Sequence, residues 1–252
     1  AEEGLAGARA MVEDGLFDRF PCNRVFALHN WPALPAGTIA TRPGPIMAAA
    51  DRFEIIVQGR GGHAAIPQRT PDCILAACQL VGQLHAIVSR RISPMASAVL
   101  SVTQINGGNA HNVLPDRVTV VGTVRTFDPQ VQDKIEESIR AVADGIATAG
   151  EVSVTVQYDR YYPATINDGD AAAEAFEIAG TVAHAELAPD PAFTSEDFAF
   201  MLQACKGAYL WLGQGRDDQS APLHSGKYDF NDDVLGTGVK LHVALTEGLL
   251  SA

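Results

Sequence analysis

The chain is poor in the features that mark several large functional classes. Its 252 residues include only four cysteines, Cys22, Cys73, Cys78 and Cys205, none in C-x-x-C spacing. Neither a disulfide framework nor a thiol metal motif is expected. Cys73 and Cys78 fall within an apolar helical pattern and read as small core residues. Positive charge is scarce: 18 Lys and Arg against 30 Asp and Glu leave a net charge of −12. With no basic cluster to hold phosphates, nucleic acid and anionic membrane surfaces are not expected partners. No apolar run reaches the roughly 18 residues of a membrane span. There is no G-x-S-x-G elbow, no Walker loop and no G-x-G-x-x-G opening a helix. Gly213-Gln214-Gly215 reads as a loop. No signal peptide, repeat or low-complexity tract is visible, and a cytoplasmic location is the expectation.

What is present is an ordinary globular composition, 47% hydrophobic and 19% charged, long enough for one large or two ordinary domains. Leu5 to Leu16 reads as a helix with Ala8, Met11 and Val12 on one face and Gly15 as its stop. Val25 to Leu28 reads as a buried strand, and Trp31 to Gly37 as a loop. From Arg52 to Tyr158 the order becomes strand, helix, strand, strand, helix, strand. Phe53 to Gly59, Ala98 to Ile105, Asp116 to Phe127 and Val152 to Tyr158 supply the strands. Asp72 to Arg90 is one helix, and the other begins at Asp128-Pro129, an N-cap followed by proline in the first turn. This is the split βαβ, ferredoxin-like order, an antiparallel four-stranded sheet with two helices on one face. The chain then returns to α/β character. It has a helix from Asp170 to Ala183, a second over Ser195 to Leu202, a buried strand over Ala208 to Gly213, and a last helix, Val234 to Leu250, capped by Asn231. The fold expected is α/β: residues 1–50 and 161–252 form part of a layered α/β domain, into which residues 51–160 are inserted.

Three stretches suggest chemistry. Glu2-Glu3 places two carboxylates at the mouth of a helix, where both cannot face the core. His29 ends the apolar run Val25 to Leu28, and His224 stands in Pro222-Leu223-His224-Ser225. A carboxylate with two imidazoles suits zinc, manganese or cobalt, and a spare carboxylate can activate water beside the metal. On spacing alone, a solvated helix start and hydrogen-bonded structural histidines explain the same residues. The Ser195-Glu196-Asp197 run also makes a good helix N-terminus, a reading that competes with a role near the metals. His85, His184 and His242 fall in helical patterns and read as structural or exposed.

The wording around these residues goes further. Ala1-Glu2-Glu3-Gly4, Ala27-Leu28-His29-Asn30-Trp31-Pro32, Gly61-Gly62-His63-Ala64-Ala65, Thr194-Ser195-Glu196-Asp197-Phe198 and Leu223-His224-Ser225-Gly226-Lys227-Tyr228-Asp229-Phe230-Asn231-Asp232 occur in order. Together they resemble the amidohydrolase branch of the M20 metallopeptidases, the group of hippurate hydrolase and N-acyl-amino-acid amidohydrolases. The resemblance implies Glu2 as general base and Glu3, His29 and His224 as ligands of a divalent metal (Zn, Mn or Co), one or two ions per subunit. It implies that His63 steadies the oxyanion of the scissile carbonyl, while Asn112, in Gly107-Gly108-Asn109-Ala110-His111-Asn112, and Arg125 hold the substrate. The inserted unit becomes a lid and dimerisation domain, and the assembly a homodimer. The substrate class implied is a small N-acyl or N-aroyl amino acid. The alternatives are a peptidase of the same family and a non-catalytic dimerisation or binding module. The family also carries a Cys-x-His ligand motif upstream of the Glu-Glu pair, so the resemblance implies that the chain corresponds to the C-terminal two-thirds of such an enzyme or to a naturally truncated relative.

Overall fold

The chain enters through two short helices, α1 (Gly7–Glu13) and α2 (Leu16–Arg19). Gly15 does more than stop the first. At φ 82° it turns the backbone and becomes the N-cap of the second, a conformation that favours glycine. Ala8 is buried as expected, but Met11 is half exposed, so the predicted apolar face is narrower. Three strands follow: β1 (Val25–Pro35), β2 (Ile39–Thr41) and β3 (Gly44–Met47). β1 runs well past Leu28, through residues expected to form a loop.

The next stretch holds β4 (Ala49–Gln58), the two-residue β5 (Gly62–His63), α3 (Cys73–Arg91), β6 (Ala98–Gly107), the two-residue β7 (Val113–Leu114), β8 (Arg117–Thr126), α4 (Pro129–Gly150) and β9 (Ser153–Tyr162). The chain ends with β10 (Thr165–Asn167), α5 (Gly169–Val182), β11 (Ala185–Leu187), α6 (Ala199–Ala204), β12 (Gly207–Gly215) and α7 (Leu235–Leu250). The computed structural model describes residues 6–216 and 221–250. It divides into two compact units, Ala1–Met47 with Thr165–Ala252, and Ala48–Ala164.

The first unit is built on a four-stranded mixed sheet of order β1-β12-β2-β11. β1 and β12 are parallel, β12 and β2 antiparallel, β2 and β11 parallel. Side chains alternate between faces along each strand. Phe26 and Leu28 of β1, with Ala208, Leu210 and Leu212 of β12, pack against Ala172, Ala175 and Ala179 of α5 and Leu241 and Leu245 of α7. On the opposite face Val25, Ala27 and Trp31 join Tyr209, Trp211 and Phe198 in a second core. Gly213-Gln214-Gly215, expected as a loop, is the end of β12. A Cβ on Gly213 would lie 2.0 Å from the Pro35 carbonyl oxygen, so only glycine admits this approach of the two strands. The helix expected over Ser195 to Leu202 is confined to α6, since Glu196 and Asp197 are buried and bonded to other elements.

The second unit is an antiparallel sheet of order β6-β8-β4-β9. One face carries Phe53, Ile55, Val57, Val118, Val120 and Val124, which meet the apolar stripes of α3 (Ala76, Leu80, Leu84, Ile87) and α4 (Ile135, Ile139, Val142, Ile146). Asp72 and Asp128 cap these helices, accepting from Leu75 N at 3.0 Å and Gln130 N at 2.8 Å. By length and composition alone α3 would be able to cross a membrane. Its apolar residues are used instead to form the stripe on the sheet. Cys73 belongs to that core, whereas Cys78 is exposed on the far side of α3, which corrects its reading as a core residue.

Candidate functional site

The candidate residues of the first unit gather around the C-terminal half of β1. His29 is half-buried on the face of the sheet that carries Tyr209 and Trp211. Its ring lies edge-on to Trp31, centroids 6.1 Å apart, and 6.2 Å from the Tyr209 ring. Trp31 stacks on Trp211 at 4.2 Å and 9° between planes, which stiffens the floor on which the imidazole stands. The His29 Nδ1 is 2.7 Å from the Asn30 carbonyl oxygen. A carbonyl only accepts, so Nδ1 carries a proton and, in the neutral ring, Nε2 holds the lone pair. That is the tautomer of an imidazole prepared to ligate through Nε2.

His224 is exposed, in the left-handed region at φ 63°. The loop that carries it is tied back to the sheet by Tyr228, whose hydroxyl oxygen accepts from Asn30 Nδ2 on β1 and from Gln214 Nε2 on β12. Tyr228 therefore links the His224 loop to the residue next to His29. Gln214 is buried, and its side-chain Oε1 accepts from Asn231 N at 3.4 Å, anchoring the far end of the same loop. Glu2 and Glu3, the expected base and ligand, lie outside the described residues. Among the described residues no group of three or more His, Cys, Asp or Glu side chains could hold a metal ion.

Glu196 and Asp197 do not act as a simple helix cap. Glu196 accepts from Tyr209 OH at 2.5 Å and from Phe198 N at 3.3 Å, so it fixes the phenol whose ring borders His29. Asp197 accepts from Ala8 N at 2.7 Å. It occupies one of the free amides at the start of α1, the helix that follows Glu2-Glu3. Sequence reasoning named neither role, and it missed Tyr228 altogether. The signal available was that all three residues, Glu196, Asp197 and Tyr228, stand inside the recognisable phrases.

In the second unit the structure brings two predicted loops together. β5 and β7 form a two-rung antiparallel ribbon, with His63 opposite Val113, and Ala64 N donates to the Asn112 carbonyl at 3.0 Å. A Cβ on Gly62 would lie 2.7 Å from Thr70 Cγ2, so glycine lets the ribbon fold tightly. His63 is exposed, and its Nδ1 accepts from Ala65 N at 3.1 Å. In the neutral ring the proton is therefore on Nε2, making this imidazole a donor. Arg125 lies on β8, half-buried on the face of the sheet away from the helices. Its Nη1 donates to Thr123 Oγ1 and to the Val124 carbonyl at 3.0 Å, and it forms no ion pair among the described residues. Burial pushes its pKa below the ordinary guanidinium value, partly offset by the charge of Asp51. It borders a cleft of about 310 Å³ with Arg52, Thr103, Thr123 and Tyr161. His85 and His242 are exposed on helices, and His184 is exposed in the turn before β11.

Residues 1–248 match the family model of Peptidase family M20/M25/M40. The chain belongs to the M20 family. Among curated relatives, the N-acetylcysteine deacetylase of Bacillus subtilis is 41% identical over 217 residues, covering 84% of this chain and 56% of the relative. The hippurate hydrolase of Campylobacter jejuni is 36% identical over 248 residues, covering 97% of this chain and 64% of the relative. This M20 chain thus spans less than two thirds of the length of either. A crystal structure from Bacillus subtilis, described as a dinuclear metal-binding peptidase of the M20 family, superposes at a TM-score of 0.83. Its identity is 30%, and the match covers 100% of this chain and 63% of that one.

Proposed function

We propose that the protein is a metal-dependent amidohydrolase that cleaves the amide bond of N-acyl or N-aroyl amino acids. The observation that carries the reading is the Nδ1–H of His29 held on the Asn30 carbonyl, in a chain related to an N-acetylcysteine deacetylase and a hippurate hydrolase. This bond leaves Nε2 as a donor atom for zinc, manganese or cobalt, the chemistry expected of a ligand in this position. Glu3, His29 and His224 are the residues that would hold the ion, and a second ion per subunit accords with the dinuclear relative. The donor set of the described residues fits a metal in part. It supplies imidazoles, and the carboxylates belong to Glu2-Glu3.

A divalent ion there would supply Lewis acidity and lower the pKa of water. The remaining work falls to the chain. Glu2 takes a proton from the attacking water and delivers it to the amine nitrogen as the C–N bond breaks. His63, with its proton on Nε2, donates to the oxyanion that forms from the carbonyl oxygen. Asn112 gives an amide hydrogen bond to the substrate. Arg125, short of a carboxylate partner among the described residues, takes the substrate's free carboxylate in a two-pronged contact. On this reading the second unit is the lid and dimerisation domain, and the protein works as a homodimer.

The test is bound-metal analysis of the purified protein together with hydrolysis of benzoylglycine and of a dipeptide. One or two divalent ions per chain and chelator-sensitive release of glycine from benzoylglycine are expected. Preference for the dipeptide would move the assignment to a peptidase. A metal-free, inactive dimer would replace it with a dimerisation or binding module.

A further inference from the structure

Cys22 and Cys205 are 183 positions apart in sequence, yet their sulfurs lie 3.7 Å from each other. Cys22 sits in the turn between α2 and β1. Cys205 ends α6, two residues before β12. The backbone between them is fixed: Val25 N donates to the Lys206 carbonyl at 2.9 Å, and Val25 pairs with Gly207 at the start of the parallel ladder. Cys205 Sγ also lies 3.6 Å from the Cys22 carbonyl oxygen. Both thiols are free, Cys22 exposed and Cys205 half-buried. The contraction from this separation to the ~2 Å of an S–S bond is within reach of side-chain torsions at the exposed Cys22.

We propose that Cys22 and Cys205 are a reversible dithiol/disulfide pair, oxidised by small-molecule disulfides, that staples the N-terminal ends of β1 and β12. The Cys22 thiolate attacks one sulfur of the external disulfide and expels the other as a thiol. The Cys205 sulfur then attacks Cys22 and expels the second thiol. Two protein thiols are oxidised, one external disulfide is reduced to two thiols, and the two protons pass to the leaving thiolates. Exposure makes Cys22 the entry point. Burial and the contact with Cys22 push the Cys205 thiol up to about 11, which keeps it protonated while Cys22 reacts first; the second, intramolecular step is carried by the 3.7 Å separation of the two sulfurs. The bond lies at the end of the strands opposite His29 and Gln214. It therefore acts on stability, by closing a very long loop in the unfolded chain, and the inference does not depend on the proposed reaction.

The experiment uses the chain in a Cys78→Ser background, which removes the other exposed thiol. It is incubated with excess oxidised glutathione, then analysed by intact mass, thiol count under denaturing conditions and non-reducing peptide mapping. The expected product is lighter by about 2 Da. It contains a linked Cys22–Cys205 peptide, and only Cys73 remains as a thiol. Its Tm is higher by roughly 5–10 °C, and dithiothreitol reverses every change. Cys22→Ser and Cys205→Ser, with Tm values matching the reduced parent, must each abolish the linked peptide and the Tm gain. A stable glutathione adduct at Cys22 with no linked form would overturn the proposal. So would no reaction at either sulfur, or the same Tm gain in either serine variant.

Discussion

The two units hold histidines that are chemically opposite. In the first, His29 is half-buried on a parallel strand pair, its Nδ1 proton given to a backbone carbonyl. In the second, His63 stands exposed on a two-rung ribbon, its Nδ1 receiving a backbone N–H. One ring is left with a lone pair on Nε2 and the other with a proton there, and in each case a backbone group within two residues sets the choice. A ligand benefits from the rigid, covered setting and an oxyanion donor from reach. The residue type is therefore less informative than the backbone group beside it.

The largest expected effect tests this contrast directly. His29→Ala should remove bound metal and lower kcat/KM by at least about 1,000-fold, whereas His63→Ala should keep its metal and lower kcat by about 100- to 1,000-fold. Metal content and steady-state kinetics on benzoylglycine check both. Loss of metal in His63→Ala, or its retention in His29→Ala, would reverse the assignment of the two rings.

The units also differ in how their cores are made. The second has a one-sided sheet under two helices, with Ile139 fully buried between α4 and the strands. The first has apolar groups on both sheet faces. Ile139→Ala should cost about 2–5 kcal/mol. In urea, hydrogen exchange of peptides from 48–164 should show the earlier transition, with peptides from the first unit unchanged. A common shift of all peptides would mean that the two cores melt as one.

Next in size is the pin on the His224 loop. Tyr228→Phe removes the oxygen that accepts from Asn30 and Gln214, at a cost of about 1–2 kcal/mol. Faster hydrogen exchange over 222–231 and roughly 10–100-fold weaker metal binding are expected, with kcat at saturating metal near the parent value. Unchanged exchange in that loop would leave Tyr228 as packing alone.

These contrasts mark what was legible in the sequence. The second unit was readable almost throughout, because Val118, Val120 and Val124 alternate and Ile135, Ile139, Val142 and Ile146 recur at helical spacing, both local patterns. In the first unit, β1 was read to Leu28 but runs to Pro35, since its extension depends on β12. The same pairing makes Gly213 to Gly215 strand instead of loop. The candidate residues stood out through short phrases of sequence. Their supports did not: the contacts Asp197 to Ala8 and Tyr228 to Asn30 span 189 and 198 positions, and no local period encodes them.

The smallest expected effect separates two carboxylates within the second unit, with the first unit as internal reference. Asp51 is buried beneath the sheet. Desolvation raises its pKa above the ordinary range, although Tyr158 OH at 2.6 Å and Gln132 Nε2 at 2.8 Å donate to it. Burial also raises Glu136, but hydrogen bonds from Arg140 and Arg160 outweigh it and hold the net value below the ordinary one. A raised carboxylate binds its proton more tightly folded than unfolded. The penalty from Asp51 is therefore absent below about pH 4, the unfolded value, and is complete above the raised folded value. The contribution of Glu136 has the opposite sign: it is present above the unfolded value of about 4.3 and is lost as pH falls through the depressed folded value. Midpoint differences in urea, parent minus Glu136→Gln, should thus be positive at pH 7 and shrink below pH 4. The difference parent minus Asp51→Asn should instead fall as pH rises from 4 towards 7. If both differences moved in the same direction with pH, the hydrogen bonds at Asp51 would outweigh its burial.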